Sequence, residues 1–229
     1  MSRTEFLVAL ATLRMTAHLF AQGTSEQGTP PQTTAEPQEK RLFGIIPNYR
    51  TSPFPNPYRP LNAAEKFKLA SQDALDRGTF TLAAVYAAEG QAGRSSPSFG
   101  QESGGYAHYF VTSYADWAGG DFMTEAIYPV LMHQDPRYLR KGTGSGFKRL
   151  TYSMGQIFWT HTDSGGHMFN FSEICGNATM VAISQAYYPD NRSAGSAATA
   201  LAIQIGDDMA SNILKEFYPD LRRWLSKKH

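Results

Sequence analysis

Residues 194–217, AGSAATALAIQIGDDMASNILKEF, contain the pattern that decides the fold class. Apolar side chains recur there at intervals of three and four residues, the spacing of one face of an α-helix. We expect that face to pack in the protein core and the intervening polar residues to point away from it. The apolar members are Ala198, Leu201, Ala202, Ile205, Met209, Ile213 and Phe217, and the polar members are Gln204, Asp208, Ser211 and Lys215.

A related segment precedes this one in the chain. Residues 173–192 match residues 203–222, because both copies contain a glycine in the first half and then Tyr-Pro-Asp, at 188–190 and 218–220. A proline disfavours helical geometry in the residue before it. Each copy is therefore predicted to be a helix that ends at its tyrosine, and the two helices are predicted to pack together.

Helical patterns also cover most of the chain upstream of the repeat. Asn62 is the predicted N-cap of the first helix and Gly78 its predicted stop. The third pattern contains Gly119-Gly120 and predicts two helices or one kinked helix. These patterns span residues 61–78, 79–90, 106–132 and 147–159. The sequence thus predicts a mainly α fold, a compact bundle of about six or seven helices over residues 61–229.

Three different compositions precede the helical domain. Residues 1–21 are predicted to be a signal peptide, since Arg3 is followed by a mostly apolar stretch. Residues 22–40 are rich in Gln, Thr, Glu, Pro and Gly and predict a disordered spacer. Residues 41–60 contain five prolines, which exclude helix and central strand. They predict an extended proline- and aromatic-rich arm along the domain surface.

Charge and cysteine content exclude a class of partner and a type of crosslink. Of 21 Lys and Arg and 20 Asp and Glu, removal of residues 1–21 leaves 19 of each. A neutral mature protein lacks the positive charge that nucleic-acid binding needs, so no nucleic-acid partner is expected. The basic C-terminal end around Trp224 suits anionic lipid, although a solvated helix end explains it too. Cys175 is the only cysteine, which excludes an intrachain disulfide.

Two polar stretches hold the residues that could carry chemistry. If 133–138 and 160–167 converge, their imidazoles and carboxylates could act as acid and base, or hold a divalent metal. The alternative is that the same polar residues only form turns and cap helices, with no catalytic or metal-binding role. No other cofactor is predicted. The candidate catalytic residues are His133, Asp135, Arg137, His161, Asp163, His167 and Glu173.

Two resemblances bear on these stretches. The sequence Ser164-Gly-Gly-His167 is similar to the Ser-Gly-His of acid phosphatases of the vanadium-haloperoxidase type, which are also all-helical. That resemblance implies phosphate contact at Ser164 and an acid role for His167. An extra glycine intervenes, however, and the family's Lys-x6-Arg-Pro stretch and its later Ser-Arg with a downstream His are absent.

The second resemblance covers nearly the whole mature chain. The segments FGIIPNYR at 43–50, HQDPRY at 133–138, TDSG at 162–165 and KEFYPD at 215–220 are similar to an uncharacterised family of exported bacterial envelope proteins with no established activity. The resemblance implies export and a single domain.

The leading functional expectation is a non-enzymatic, exported protein of the periplasm or outer cell envelope. Such a protein would act through binding or structural packing, including peripheral contact with a membrane or an envelope protein. The alternative is a metal-assisted or acid/base hydrolase of phosphoesters or envelope polymers, built on the two polar stretches.

Overall fold

The computed structural model describes residues 39–53 and 57–227. The predicted signal peptide, and all of the predicted spacer except its last two residues, lie outside these ranges. In the described part, six helices have ten residues or more and the strands are short. The predicted mainly α fold is confirmed.

The described elements follow one another from the arm to the C-terminal helix. The helices are α1 (Ala63–Ala74), α2 (Arg77–Gly93), α3 (Ser103–Asp121), α4 (Tyr128–Leu131), α5 (Gly146–Gly155), α6 (Phe171–Ser184) and α7 (Ala194–Ser226). The strands are β1 (Arg41–Leu42), β2 (Ile46–Pro47), β3 (Thr51–Pro53), β4 (Tyr138–Arg140), β5 (Trp159–His161) and β6 (His167–Phe169). Short 3₁₀ turns occupy Pro97–Phe99 and Pro189–Asn191.

The arm does more than cover the surface. Strands β1 and β2 form an antiparallel hairpin in which Leu42 is buried. Strand β3 pairs in parallel with β4, with Thr51 opposite Tyr138. This pairing places Arg50, the residue before β3, beside Pro136, whose carbonyl accepts a hydrogen bond from Arg50 Nε at 3.1 Å. The arm thereby carries a cation into the bundle.

The boundary between α1 and α2 lies earlier than the sequence suggested. The predicted Asn62 cap is confirmed, because its side chain accepts from Glu65 N while Glu65 accepts from Asn62 N. Gly78 does not stop this helix. Helix α1 ends at Ala74, and Asp76 caps α2 by accepting from Gly78 N at 2.6 Å.

Helix α3 passes into α4 without a break. The glycine pair predicted as a kink, Gly119-Gly120, lies in regular helix. The change of geometry comes after it, in a π-helical turn at Phe122–Ile127. Insertions of this kind often occur at functional sites, and this turn carries the buried residue Glu125.

The two repeat copies end differently. Helices α6 and α7 pack against each other, as predicted. The first copy ends its helix before Pro189, but α7 continues through Pro219 to Ser226. A proline prevents normal backbone bonding in the preceding turn. Pro219 cannot donate to the carbonyl of Lys215, four residues before it. In the same turn the Glu216 carbonyl accepts side-chain hydrogen bonds from Arg140 Nε at 3.2 Å and from Arg149 Nη2 at 2.7 Å.

The interior is more polar than the sequence pattern predicted. No residue of the expected apolar face of α7 is fully buried, whereas Lys215 and Glu216 are. Many buried apolar residues elsewhere are small, as at Ala70, Ala83 and Ala126. Small side chains let the helices approach closely. The largest fully buried side chains include Lys66, Gln134, Glu125 and Glu216 beside the apolar Leu42, Leu139 and Ile157.

Gly176 marks one such close approach, between α6 and the π-helical turn. A Cβ atom at Gly176 would lie 2.8 Å from Thr124 Cγ2 and 3.2 Å from the Met123 carbonyl carbon. We predict that Gly176→Ala lowers the free energy of unfolding by about 1–3 kcal/mol, measured by denaturant titration. At Gly120 a Cβ would meet nothing within 4 Å. Gly120→Ala should therefore be neutral or stabilising by up to about 1 kcal/mol. Equal effects at both glycines would contradict this packing.

Candidate functional site

The two predicted polar stretches lie side by side. Gln134 and Thr162 form an antiparallel bridge. Asp135 N donates to the His161 carbonyl at 2.8 Å, and Asp163 N donates to the His133 carbonyl at 2.9 Å. The backbone therefore brings six of the seven candidate residues into neighbouring segments. Their side chains, however, point to different partners.

Asp135 is fully engaged by a cation and a phenol. Its carboxylate accepts from Arg137 Nη2 at 2.6 Å, from Arg137 Nε at 2.9 Å and from the Tyr58 hydroxyl at 2.7 Å. Burial acts to raise the pKa of Asp135, but the hydrogen bonds from Arg137 and Tyr58 outweigh it and hold the pKa below its ordinary value. The group is an ionised structural partner at neutral pH.

Asp163 is paired in the same way. Buried Lys66, on α1, donates from Nζ to Asp163 Oδ2 at 2.7 Å, to Oδ1 at 2.9 Å and to the Pro129 carbonyl at 3.0 Å. The exposed His133 lies at the edge of this pair, with Nδ1 at 4.0 Å from Asp163 Oδ2. The pair ties α1 to the polar loop.

The two remaining imidazoles lie against each other. The rings of His161 and His167 are 4.2 Å apart between centroids, and Tyr58 stacks on His161 at 6.0 Å. His161 is buried and His167 is exposed. Burial and the neighbouring His167 lower the pKa of His161, which is therefore uncharged at neutral pH.

Glu173, the seventh candidate, belongs to a different group of charges. Its Oε2 lies 3.2 Å from Arg50 Nη2, and Glu125 Oε1 lies 3.4 Å from Arg50 Nε. Among residues 39–53 and 57–227, no three or more His, Cys, Asp or Glu side chains are arranged to hold a metal ion.

This second group, called here the interior cluster, was not predicted. It brings together the arm, α1, the end of α3 with its π-helical turn, α6 and α7. Five carboxyls, two cations and one amide compose it: Asp73, Asp121, Glu125, Glu173, Asp208, Arg50, Lys215 and Asn177.

Helix α7 contributes Asp208 and Lys215 to the interior cluster. Asn177 Nδ2 donates to Asp208 Oδ2 at 3.0 Å and to Glu173 Oε1 at 3.5 Å. Lys215 is buried, and the charges nearest to it include Arg50, Asp73 and Glu125. The amide thus joins α6 to α7 inside the bundle.

The cluster strongly shifts the protonation of its members. Burial raises the pKa values of Asp121, Glu125 and Asp208 well above the ordinary range, and neighbouring carboxyls add to the shift. Burial also raises the pKa of Asp73, although the positive charges of Lys215 and Arg50 act to lower it.

The pKa values of the two cations in the cluster are shifted in opposite directions. Burial would lower the pKa of the Arg50 guanidinium, but Glu173 and Glu125 outweigh it and hold the pKa above its ordinary value. Burial lowers the pKa of Lys215, and the charge on Arg50 adds to the shift. Arg50 is therefore the fixed positive charge of the cluster.

A small polar cavity lies between the interior cluster and the Asp135–Arg137 pair. Its volume of about 10 Å³ is at the lower limit for one water molecule. The lining includes Arg50 and Glu173 on one side, Asp135 and Arg137 on the other, and Asn212 from α7. The predicted and the unpredicted polar regions therefore meet at this cavity.

A sequence signal for the interior cluster exists. Glu173 and Asn177 are four residues apart, and Asp208 and Lys215 are seven apart, so each pair lies on one side of its helix. The sequence analysis placed Asp208 and Lys215 on the polar side of the C-terminal helix and Glu173 among the catalytic candidates, and it did not bring them together. Ionisable residues within otherwise apolar helices indicate that charged groups face one another in the interior.

Comparison with known proteins adds no relative. No family model matches the chain, and no curated protein and no solved structure shows significant similarity to it. Separately, no helix in the described ranges has both the length and the apolar character to cross a membrane.

Removing the central cation should be costly. We predict that Arg50→Met lowers the free energy of unfolding by about 3 kcal/mol at pH 7, because Glu173 loses its cation in a buried setting. Arg59→Met is the matched control, since the Arg59–Glu65 pair is exposed. That change should cost less than about 1 kcal/mol. Similar losses for both variants, measured by chemical denaturation, would contradict a stabilising role for Arg50.

Proposed function

We propose that this protein is a non-enzymatic, exported component of the cell envelope, in the periplasm or at the outer envelope, that binds the surface of an anionic membrane peripherally. The proposed contact is the terminal patch, formed by the β1–β2 hairpin and the C-terminal turns of α7. Its members are Lys40, Phe43, Ile45, Arg222, Arg223, Trp224, Leu225 and Lys227.

The hairpin and the helix end form one surface. The Phe43 ring meets the Tyr218 ring edge-on at 5.0 Å, and Phe43 N donates to the Tyr218 hydroxyl at 3.3 Å. Arg222 Nη1 lies 2.5 Å from Glu39 Oε1. These contacts hold the hairpin against the last turns of α7.

Exposed apolar side chains are the observation that carries the proposal. Phe43 and Trp224 are each 50% exposed, and Ile45 and Leu225 are each 46% exposed. Transfer of apolar area out of water is favourable by about 25 cal/mol per Å². Trp and Phe are suited to the boundary between headgroups and acyl chains. These four exposed side chains are therefore suited to insert into a bilayer surface.

The charge of the patch favours an anionic surface. Four cations belong to it, and among the described residues two carboxylates face them, Glu39 on Arg222 and Asp220 on Arg223. Lys40 and Lys227 are exposed and add positive charge beyond these pairs. Each basic residue near an anionic membrane contributes about 1 kcal/mol of attraction.

The polar loops support binding over hydrolysis. The carboxylates of Asp135, Asp163 and Glu173 each face a buried or half-buried cation. A general base must be free to take a proton from the substrate or its water. In this arrangement those three carboxylates stabilise the fold.

Vesicle co-sedimentation tests the proposal. We predict that the protein sediments with phosphatidylglycerol-containing vesicles, is released by high salt, and stays in the supernatant with pure phosphatidylcholine vesicles. Lys40→Gln with Lys227→Gln should weaken binding roughly tenfold or more, because two cations leave the patch. Leu225→Ser should weaken it further.

The matched control removes two exposed cations elsewhere, by Lys68→Gln with Arg94→Gln, and should bind like the unmodified protein. All variants keep residues 1–38 unchanged, so a difference in vesicle binding between them reports on the terminal patch. Equal binding by the patch and control variants would refute the proposed surface. Supernatant recovery with both vesicle types would refute membrane binding itself.

A further inference from the structure

The interior cluster has an imbalance of charge. Its five carboxyls face two cations, Arg50 and Lys215. With every group ionised, the interior of the bundle would hold three uncompensated negative charges. Isolated charges in a medium of low polarity cost far more than a protein of ordinary stability can supply. The excess must be neutralised within the cluster.

Two buried oxygens show where compensation is lacking. Asp73 Oδ2 and Glu125 Oε2 receive no hydrogen bond from an N–H or hydroxyl donor in the described parts of the chain, and the two carboxyls lie within hydrogen-bonding reach of each other, which requires a proton on one of them. Asp73 is 5% exposed and Glu125 is 1% exposed. An ionised carboxylate oxygen in such a place would carry a large desolvation penalty. A carboxyl that keeps its proton avoids it.

We propose that the interior cluster is a proton-binding site, which holds a net three protons in the folded protein at neutral pH and releases them when the bundle opens. The number follows from neutrality. If Lys215 is charged, three carboxyls carry protons. If Lys215 is neutral, four carboxyls carry protons and Lys215 lacks one, so the net uptake on folding is the same.

The surroundings of the cluster agree with this assignment. The groups that face one another come from every element around it: Arg50 from the arm, Asp73 from α1, Asp121 and Glu125 from the α3 end, Glu173 from α6, and Asp208 and Lys215 from α7. Burial raises the pKa values of four of the five carboxyls. Asp121 and Asp208 are half-buried as whole residues, but their carboxyl groups lie among the other charges of the cluster and burial is the main cause of their raised pKa values.

The site makes folding depend on pH in a defined direction. Because the folded state binds more protons than the unfolded state, the free energy of unfolding falls as pH rises. The fall begins above the ordinary carboxyl pKa values near 4 and continues up to the raised pKa values of the folded protein. The protein is therefore expected to loosen on alkalinisation.

Proton release on unfolding tests the site directly. A weakly buffered sample at pH 7 is unfolded by denaturant in the presence of an indicator dye. We predict a release of about three protons per chain. The triple variant Asp121→Asn, Glu125→Gln, Asp208→Asn should release about three fewer, because its remaining carboxyls match the two cations. It should also lose most of the fall in melting temperature between pH 6 and pH 9.

Infrared spectroscopy of the folded protein provides a second readout that needs no unfolding. The protonated carboxyl band should be present at pH 7 and should shrink in the triple variant. Asp135→Asn is the control, since Asp135 is buried as deeply as Glu125 but is held ionised by Arg137. That change should leave the band unaltered. Absence of the band at pH 7, or equal proton release by the triple variant and the unmodified protein, would overturn the proposal.

Discussion

The guanidinium of Arg50 joins the arm to the π-helical turn and to α6 inside the bundle. It is the fixed positive charge among the carboxyls of the interior cluster, and it reaches Glu125 in the π-helical turn and Glu173 in α6. Buried charge is tolerated only where it is paired. The positions of the arm, the end of α3 and α6 are therefore coupled through one side chain.

The same constraint explains the arm and the small interior residues. The arm needs its parallel pairing with β4 because that register delivers Arg50 to the cluster. Helix α6 must lie close to the π-helical turn, and Gly176 permits that approach. The long side chains of Lys66 and Arg149 provide comparable ties at Asp163 and Glu216. Polar ties between elements take a large share of the interior.

Sequence reasoning succeeded where local physics decides the outcome. The Asn62 cap and the helical class follow from nearest-neighbour chemistry, and both are present. It failed for α7, where apolar spacing predicted the buried face but Lys215 and Glu216 are the buried residues. The partners that make such burial tolerable, such as Arg149 for Glu216, lie far away in sequence. Neither the interior cluster nor the passage of α7 through Pro219 could be predicted locally.

A double-mutant cycle measures how strongly Arg50 and Glu173 stabilise the fold as a pair. The free energies of unfolding of the unmodified protein, Arg50→Met, Glu173→Gln and the double variant would be measured at pH 7. If the two side chains stabilise the fold as a pair, the double variant should lose at least about 1 kcal/mol less than the two single losses added together. Additive losses, within about 0.5 kcal/mol, would contradict the account.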